Sequence, residues 1–528
     1  MSKQSFLYGT LILVGAGFIT KILGFIYRIA LSRIIGDEGM GLFQMAFPIL
    51  IFLIVITTAG IPVAISKLVS EAEAKEEEHK IQAILIVSIL VVTITSVTVT
   101  ISVFFLAPFI ANYLLTDERT IYSFLAMSPV IPIIAISSVF RGYFQGRQNM
   151  TPFAISQIVE QIIRIFTVLA LAKMLLPYGI AIASAGAMIG MVVGEFMGML
   201  YLLYSYRKDP QKPDKPIFTI QRVMFTKQWW IEQKETLQSL ARIAGPVTFS
   251  RMIGSLSYAV EPIVVAQSLA FAGIATAAST ALYGQLEGMA LPLVFFPAFI
   301  TYALTVSLVP AISEAAAQKK TDIVERRLQQ AIRLSLLIGA PCTLMVYLMA
   351  EPLSLLLYQH PEVGKLIQVM APFSLFYYLQ GPFASVLQGL DKASIAMRNS
   401  IIGAVIKIIL IFILASRPDL GIIGVAMAIN FGIIVVTGLH FFSIAKLVPI
   451  SIHIRELVKL SLAVGITGMI IYYLMGQEQS PLVTRVLLSM LSGFCVYFMG
   501  LMFLGLIKKE DVIRVPYIGP WLSKRLPY

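Results

Sequence analysis

Apolar stretches broken by short polar turns run along nearly the whole chain. A membrane span needs roughly 20 apolar residues to cross about 30 Å of hydrocarbon. By that measure the pattern predicts helices at about 6–34, 40–66, 81–112, 120–140, 152–172, 179–204, 237–268, 282–309, 328–349, 366–388, 394–415, 421–445, 460–476 and 486–507. The expected fold class is all-α, a polytopic integral membrane protein with about 14 transmembrane helices. The longest polar stretch, 205–236, is rich in Pro, Lys and Asp and divides six spans from eight.

A self-comparison adds a repeat. "MAFP" at 45–48 returns as "MALP" at 289–292, and "AIS" at 64–66 returns at 311–313. Pro129 and Gln145-Gly146 return as Pro372 and Gln388-Gly389, and Gly179 and Gly190 as Gly421 and Gly432. The matches keep their order at offsets of 242–247 residues. Each copy holds six expected spans, an even number, so the repeats are parallel and the last two helices are an addition. The expected division is a first lobe at 1–204, a linker at 205–236, a second lobe at 237–445, a helix pair at 446–507 and a tail at 508–528. Halves of this kind rock about a central site.

Composition agrees: 58% of residues are hydrophobic and 13% charged, with a mean hydropathy of +0.85. The net charge of +12 reports topology rather than nucleic-acid binding. With the N-terminus inside, the expected inner loops and tails carry 27 of the 40 Lys and Arg. The positive-inside rule then puts both termini in the cytoplasm, with the chain in the cell membrane. The first span is too long for a cleaved signal segment. Cys342 and Cys495 fall inside spans, so no structural disulfide is expected.

The candidate chemistry lies in charges at membrane depth, each costing about 2.5–3.5 kcal/mol at a helix centre on insertion scales. These are Lys21, Arg28, Arg164, Arg242, Arg251, Arg333 and Lys407, with the acids Glu160, Glu195, Glu261 and Glu287. Arg242 and Arg333 lie near helix ends and are expected to snorkel. Lys21 and Arg28, seven residues apart, share one helix face. Gln157, Glu160, Gln161 and Arg164 form a stripe at i, i+3, i+4, i+7, and Arg251, Ser255 and Tyr258 form another. Arg164 and Lys407 occupy equivalent repeat positions, 243 residues apart. One reading is a cavity whose cations Lys21, Arg28, Arg164, Arg251 and Lys407 bind an anionic substrate, with Glu160, Gln161, Glu261 and Glu287 as lining and ion-pair groups. The other is that each cation has an acid partner and locks helices together, Arg164 with Glu160 and Arg28 with Glu261 or Glu287. Asn430 is read either as helix–helix glue or as a cavity residue.

The segments "GTLILVGAGFITKILGFIYRIALSRIIGDEGMGL" and "GIPVAISKLVSEA" (60–72) resemble the stage V sporulation protein B family of the MOP exporter superfamily. The resemblance covers essentially the whole chain. It implies a two-lobed, MATE-like transporter related to MurJ-type lipid II flippases. In those flippases a first-span motif, Ser-Arg-x-Leu-Gly-Phe-x-Arg, helps line a cationic cavity for the substrate diphosphate. Thr20-Lys21-Ile22-Leu23-Gly24-Phe25 matches its first part, and Arg28 falls one position after the second Arg. The chain departs from that pattern in carrying no second-span cation and in having Glu287 where an eighth-span Arg would stand. The last two spans are expected to form a lipid-tail groove.

The function expected is a flippase for a polyprenyl-diphosphate-linked cell-wall precursor, here for the spore cortex. The alternatives are a MATE-type exporter of drug-like cations and a flippase for another lipid-linked polysaccharide unit. A membrane glycosyltransferase would need catalytic carboxylates on a water-facing loop, and the outer loops are short, so no enzyme activity is expected. No P-loop and no HExxH occurs, the four histidines are scattered, and neither cofactor nor metal is expected. The expected partners are the lipid-linked anionic oligosaccharide precursor and membrane lipid, with peptidoglycan-synthesis enzymes as candidate protein partners, for a chain acting as a monomer.

Overall fold

The computed structural model describes residues 6–58, 60–210, 212–213, 233–450, 453–477 and 479–506. Among these it contains helices and no strand. Most of the linker expected at 205–236, and all of the tail at 508–528, lies outside the described residues. Among the described residues, ten helical stretches are long and apolar enough to cross a membrane.

The first helix, α1 (Phe6–Thr58), consists of two arms that meet at Gly36, with φ 68° and ψ −171°. That region of backbone space is essentially glycine's alone, so the first two expected spans join through one residue rather than a loop. There follow α2 (Ile61–Ala74), α3 (Glu78–Phe109) with a π-helical turn at 110–114, α4 (Thr120–Met127), α5 (Val130–Gly146), α6 (Thr151–Leu175) and α7 (Ile180–Lys208). Beyond the linker come α8 (Lys234–Phe271), α9 (Thr276–Tyr283), a π-helical stretch at 284–290, α10 (Leu291–Phe295) and α11 (Ala298–Ala317). The chain continues through α12 (Thr321–Leu348), α13 (Ala350–Tyr358), α14 (Val363–Gly389), α15 (Ala393–Ala415), α16 (Gly421–Ala445), α17 (Ile454–Met475) and α18 (Leu482–Phe503). Gly179 and Gly421, matched in the self-comparison, both take positive φ, 114° and 48°, where α7 and α16 begin.

The helices gather into two compact units, residues 1–288 with 408–425, and residues 289–407 with 426–528. In the first, α1 packs along α6 and α8, and α7 lies on α6. Ile65, Val69, Leu85, Phe140 and Tyr143 are fully buried where α2, α3 and α5 meet. In the second, α12 and α14 pack together with α11, and α17 pairs with α18. Lipid tails are as apolar as leucine, so close packing and interhelical hydrogen bonds, averaging roughly 0.6 kcal/mol, drive association more than apolar burial does. The Ser123 and Ser184 hydroxyls lie 3.1 Å apart, and Thr167 donates to the Gly190 carbonyl at 2.8 Å. Asn430 Nδ2 donates to the Val369 carbonyl at 2.9 Å, joining α16 to α14, which is the helix–helix reading of that residue.

Candidate functional site

The first arm of α1 carries Lys21 and Arg28, with Gly24 between them on the same face. Lys21 is exposed, Arg28 half-buried and Tyr27 buried. A Cβ at Gly24 would lie 3.7 Å from Gln161 Nε2, so this face of α1 meets the polar stripe of α6. Gln161 is 5% exposed, and its Nε2 has no hydrogen-bond partner among the described residues. A buried amide donor without an acceptor costs roughly 1–3 kcal/mol. It stands beside the two cations the sequence singled out.

Arg164, one turn further along α6, is engaged by acids. It pairs with Glu160 on its own helix, and its Nη2 lies 2.8 Å from Glu195 on α7. Arg141 on α5 completes the group, 3.2 Å from Glu160 and 3.7 Å from Glu195. Two guanidinium groups and two carboxylates balance, and none of the four side chains is more than 20% exposed. Glycines bring α7 close enough: a Cβ at Gly194 would stand 2.7 Å from that of Arg164. This is the helix-locking arrangement weighed for Arg164 with Glu160, enlarged by Glu195 and by Arg141, which the sequence reading assigned to a loop.

On α8, Arg251 is exposed, Ser255 half-buried and Glu261 4% exposed. The Tyr258 hydroxyl is within electrostatic reach of Glu287, Arg28 and Glu261. Glu287 sits in the π-helical stretch before Pro292. Proline has no N–H to give the carbonyl four residues back, and π segments mark functional positions frequently. Gln44 Nε2 donates to the Glu287 carbonyl at 3.1 Å.

Lys407 lies in the second unit on α15, its Cβ 3.0 Å from where one at Gly432 would be. At the repeat offsets, the positions of Glu160 and Glu195 are taken by Gly403 and Thr437. The second copy thus keeps the cation and lacks both acids of the first. Arg333 has partners near the ends of other helices: its guanidinium donates to the Leu506 carbonyl, its Nε is 3.7 Å from Glu456, and its side chain is 15% exposed.

A further cluster was not anticipated. Asp117, 3% exposed, accepts from Arg119 Nε at 3.0 Å and Nη2 at 2.8 Å, and from Thr280 Oγ1 at 2.7 Å. Arg119 Nη1 also reaches Glu38 at 2.6 Å, and Gln285 Nε2 donates to Asp37 at 2.8 Å. These bonds tie the Gly36 turn, the α3–α4 turn and α9 together. The only signal in the sequence was two charge-rich turns, "GDEG" (36–39) and "TDER" (116–119). Burial pushes the Asp117 carboxyl up, but bonds from Arg119 and Thr280 outweigh it and leave it below its ordinary value.

The model of the family described as polysaccharide biosynthesis protein matches residues 6–316, and the MatE model matches 262–413. The chain is 45% identical to stage V sporulation protein B of Bacillus subtilis (strain 168), with 98% of this chain and 99% of the relative covered. It is 26% identical to the lipid II flippase MurJ of the same organism, covering 97% and 98%. Among solved structures, a lipid II flippase MurJ in an inward closed conformation superposes with a TM-score of 0.71 at 18% identity, over 96% of this chain and all of that one. That likeness concerns the fold.

Two outcomes follow from the geometry. Glu195→Gln leaves two guanidinium groups against one carboxylate, and breaking a buried pair costs about 3–5 kcal/mol. Adding Arg164→Gln should recover part of the lost thermal stability in detergent; losses that simply add would mean the residues act independently. Asp117→Asn removes a carboxylate held below its ordinary value near 3.8. Such a group stabilises above its unfolded value and ceases to as pH falls through its folded value. The stability gap to the unsubstituted protein should therefore be level from pH 7 to about 5 and narrow below about pH 4. A gap independent of pH would contradict the assignment.

Proposed function

This chain belongs to the polysaccharide biosynthesis protein family of the MOP superfamily, alongside stage V sporulation protein B, and on that footing we propose that it flips a polyprenyl-diphosphate-linked precursor of spore cortex peptidoglycan. It is a multi-pass membrane protein, and its relatives include a lipid II flippase rather than enzymes. The proposed setting is the cytoplasmic membrane with both termini inside, which the distribution of Lys and Arg supports. Alternating access between the two repeats would carry the substrate.

The observation that carries this reading is the α1 face with Lys21 and Arg28 flanking Gly24 and, beside it, the Gln161 Nε2, which has no partner among the described residues. A diphosphate is an acceptor for charge-assisted hydrogen bonds, which are about twice as strong as neutral ones. Lys21 is assigned direct contact with the diphosphate, since it stands in the family motif. Lys21 and Arg28 are separated by about 10 Å along the helix, too far for one diphosphate to bridge easily. Arg28 is therefore assigned to closure of the site, opposite Glu261 and Glu287. Arg251 and Lys407 are assigned to the substrate's path. Arg164, already balanced by Glu160 and Glu195, is assigned to holding α5, α6 and α7 in register.

The test is complementation in a spore-forming bacterium lacking stage V sporulation protein B, with variants matched for expression. Lys21→Arg keeps the charge and should preserve heat-resistant spores. Lys21→Ala should reduce them to the level of the strain without the protein. Full complementation by Lys21→Ala would sink the assignment of the α1 cations to substrate.

A further inference from the structure

The second unit contains a cavity of about 560 Å³ between α12, α14, α16 and α17, bounded also by Leu506. Its size is that of a small-molecule site. Its lining is two-sided. Arg326, Gln329, Gln330 and Arg333 come from the first turns of α12, and His453 and Glu456 from the start of α17. Across from them Phe376, Leu379 and Phe383 of α14 and Phe441 and Phe442 of α16 make an apolar wall. The Arg333 guanidinium is fixed by the Leu506 carbonyl and Glu456, and Arg326 is exposed at the edge. The polar side carries two arginines and one glutamate, so it favours an anion.

We propose that this cavity is a binding site for an anionic phospholipid, its headgroup phosphate on Arg326 and Arg333 and part of one acyl chain against the α14 and α16 aromatics. A free phosphate would leave the aromatic wall facing water. With Arg333 facing Glu456, Arg326 gives this side a net positive charge, which a lipid without net negative charge would not match. Basic pockets between transmembrane helices recognise anionic headgroups in this way. None of its lining residues is among those assigned to the transported precursor. Bound there, the lipid packs α17 against α12, α14 and α16 and bears on how firmly the last helix pair is held.

Gly438 offers a clean test. It lines the cavity, and a Cβ built on it meets nothing within 4 Å, so the side chain of Gly438→Leu starts from open space and takes up part of the cavity. The full chain, purified in detergent with phosphatidylglycerol or phosphatidylcholine added, is examined by native mass spectrometry. The unsubstituted protein should retain one more phosphatidylglycerol than Gly438→Leu does, and Arg326→Gln should weaken that retention by about 10-fold, the value of one charged hydrogen bond. Phosphatidylcholine should not replace the retained lipid, and neither should inorganic pyrophosphate. Equal retention by Gly438→Leu, or equal binding of phosphatidylcholine, would overturn the proposal. Displacement by pyrophosphate would reduce the site to an anion site. Displacement by a polyprenyl diphosphate at equal concentration would make the cavity part of the transport route, and would also overturn it.

Discussion

A charge at the centre of a membrane helix is tolerated only where protein or water takes the place of hydrocarbon around it, and this constraint organises the first unit. The group of Arg141, Glu160, Arg164 and Glu195 draws three helices together because each member, left without the others, would be a buried uncompensated charge. With α6 fixed to α5 and α7, its Gln161 edge is presented to α1, where Lys21 and Arg28 lie. The candidate site therefore depends on a neutral network that is not itself the best candidate for binding substrate. The second copy of the repeat keeps a cation at Lys407 and has Gly403 and Thr437 where the acids stand. The two halves share a backbone plan and differ in electrostatics.

Helical class and multi-pass membrane character were legible in the sequence because they rest on local periodicity and composition. The Glu160–Arg164 pair was legible for the same reason, being four residues apart on one helix. Arg141 and Glu195 were not joined to it, because their partners lie 19 and 31 residues away along the chain and meet only through helix packing. Arg333 illustrates the same limit. Its place near a helix end was legible, and the carbonyl 173 residues away that holds it was not. The Asp117–Arg119–Thr280 cluster escaped notice because two short charged turns carry no information about the helix that will face them.

The functional account rests on a division of labour among these charges. Those balanced by acids hold helices in register, and the cations on α1, beside the Gln161 amide, are the ones proposed to meet the substrate. Family membership supplies the class of activity, a membrane transporter or flippase, and the proposal adds an anionic substrate met by the α1 cations. The most direct measurement is translocation of a lipid-linked cell-wall precursor in vesicles reconstituted with the full chain. The account predicts that precursor moves between leaflets only when the protein is present. Movement no faster than in protein-free vesicles, from a preparation that exports a cationic dye, would contradict it.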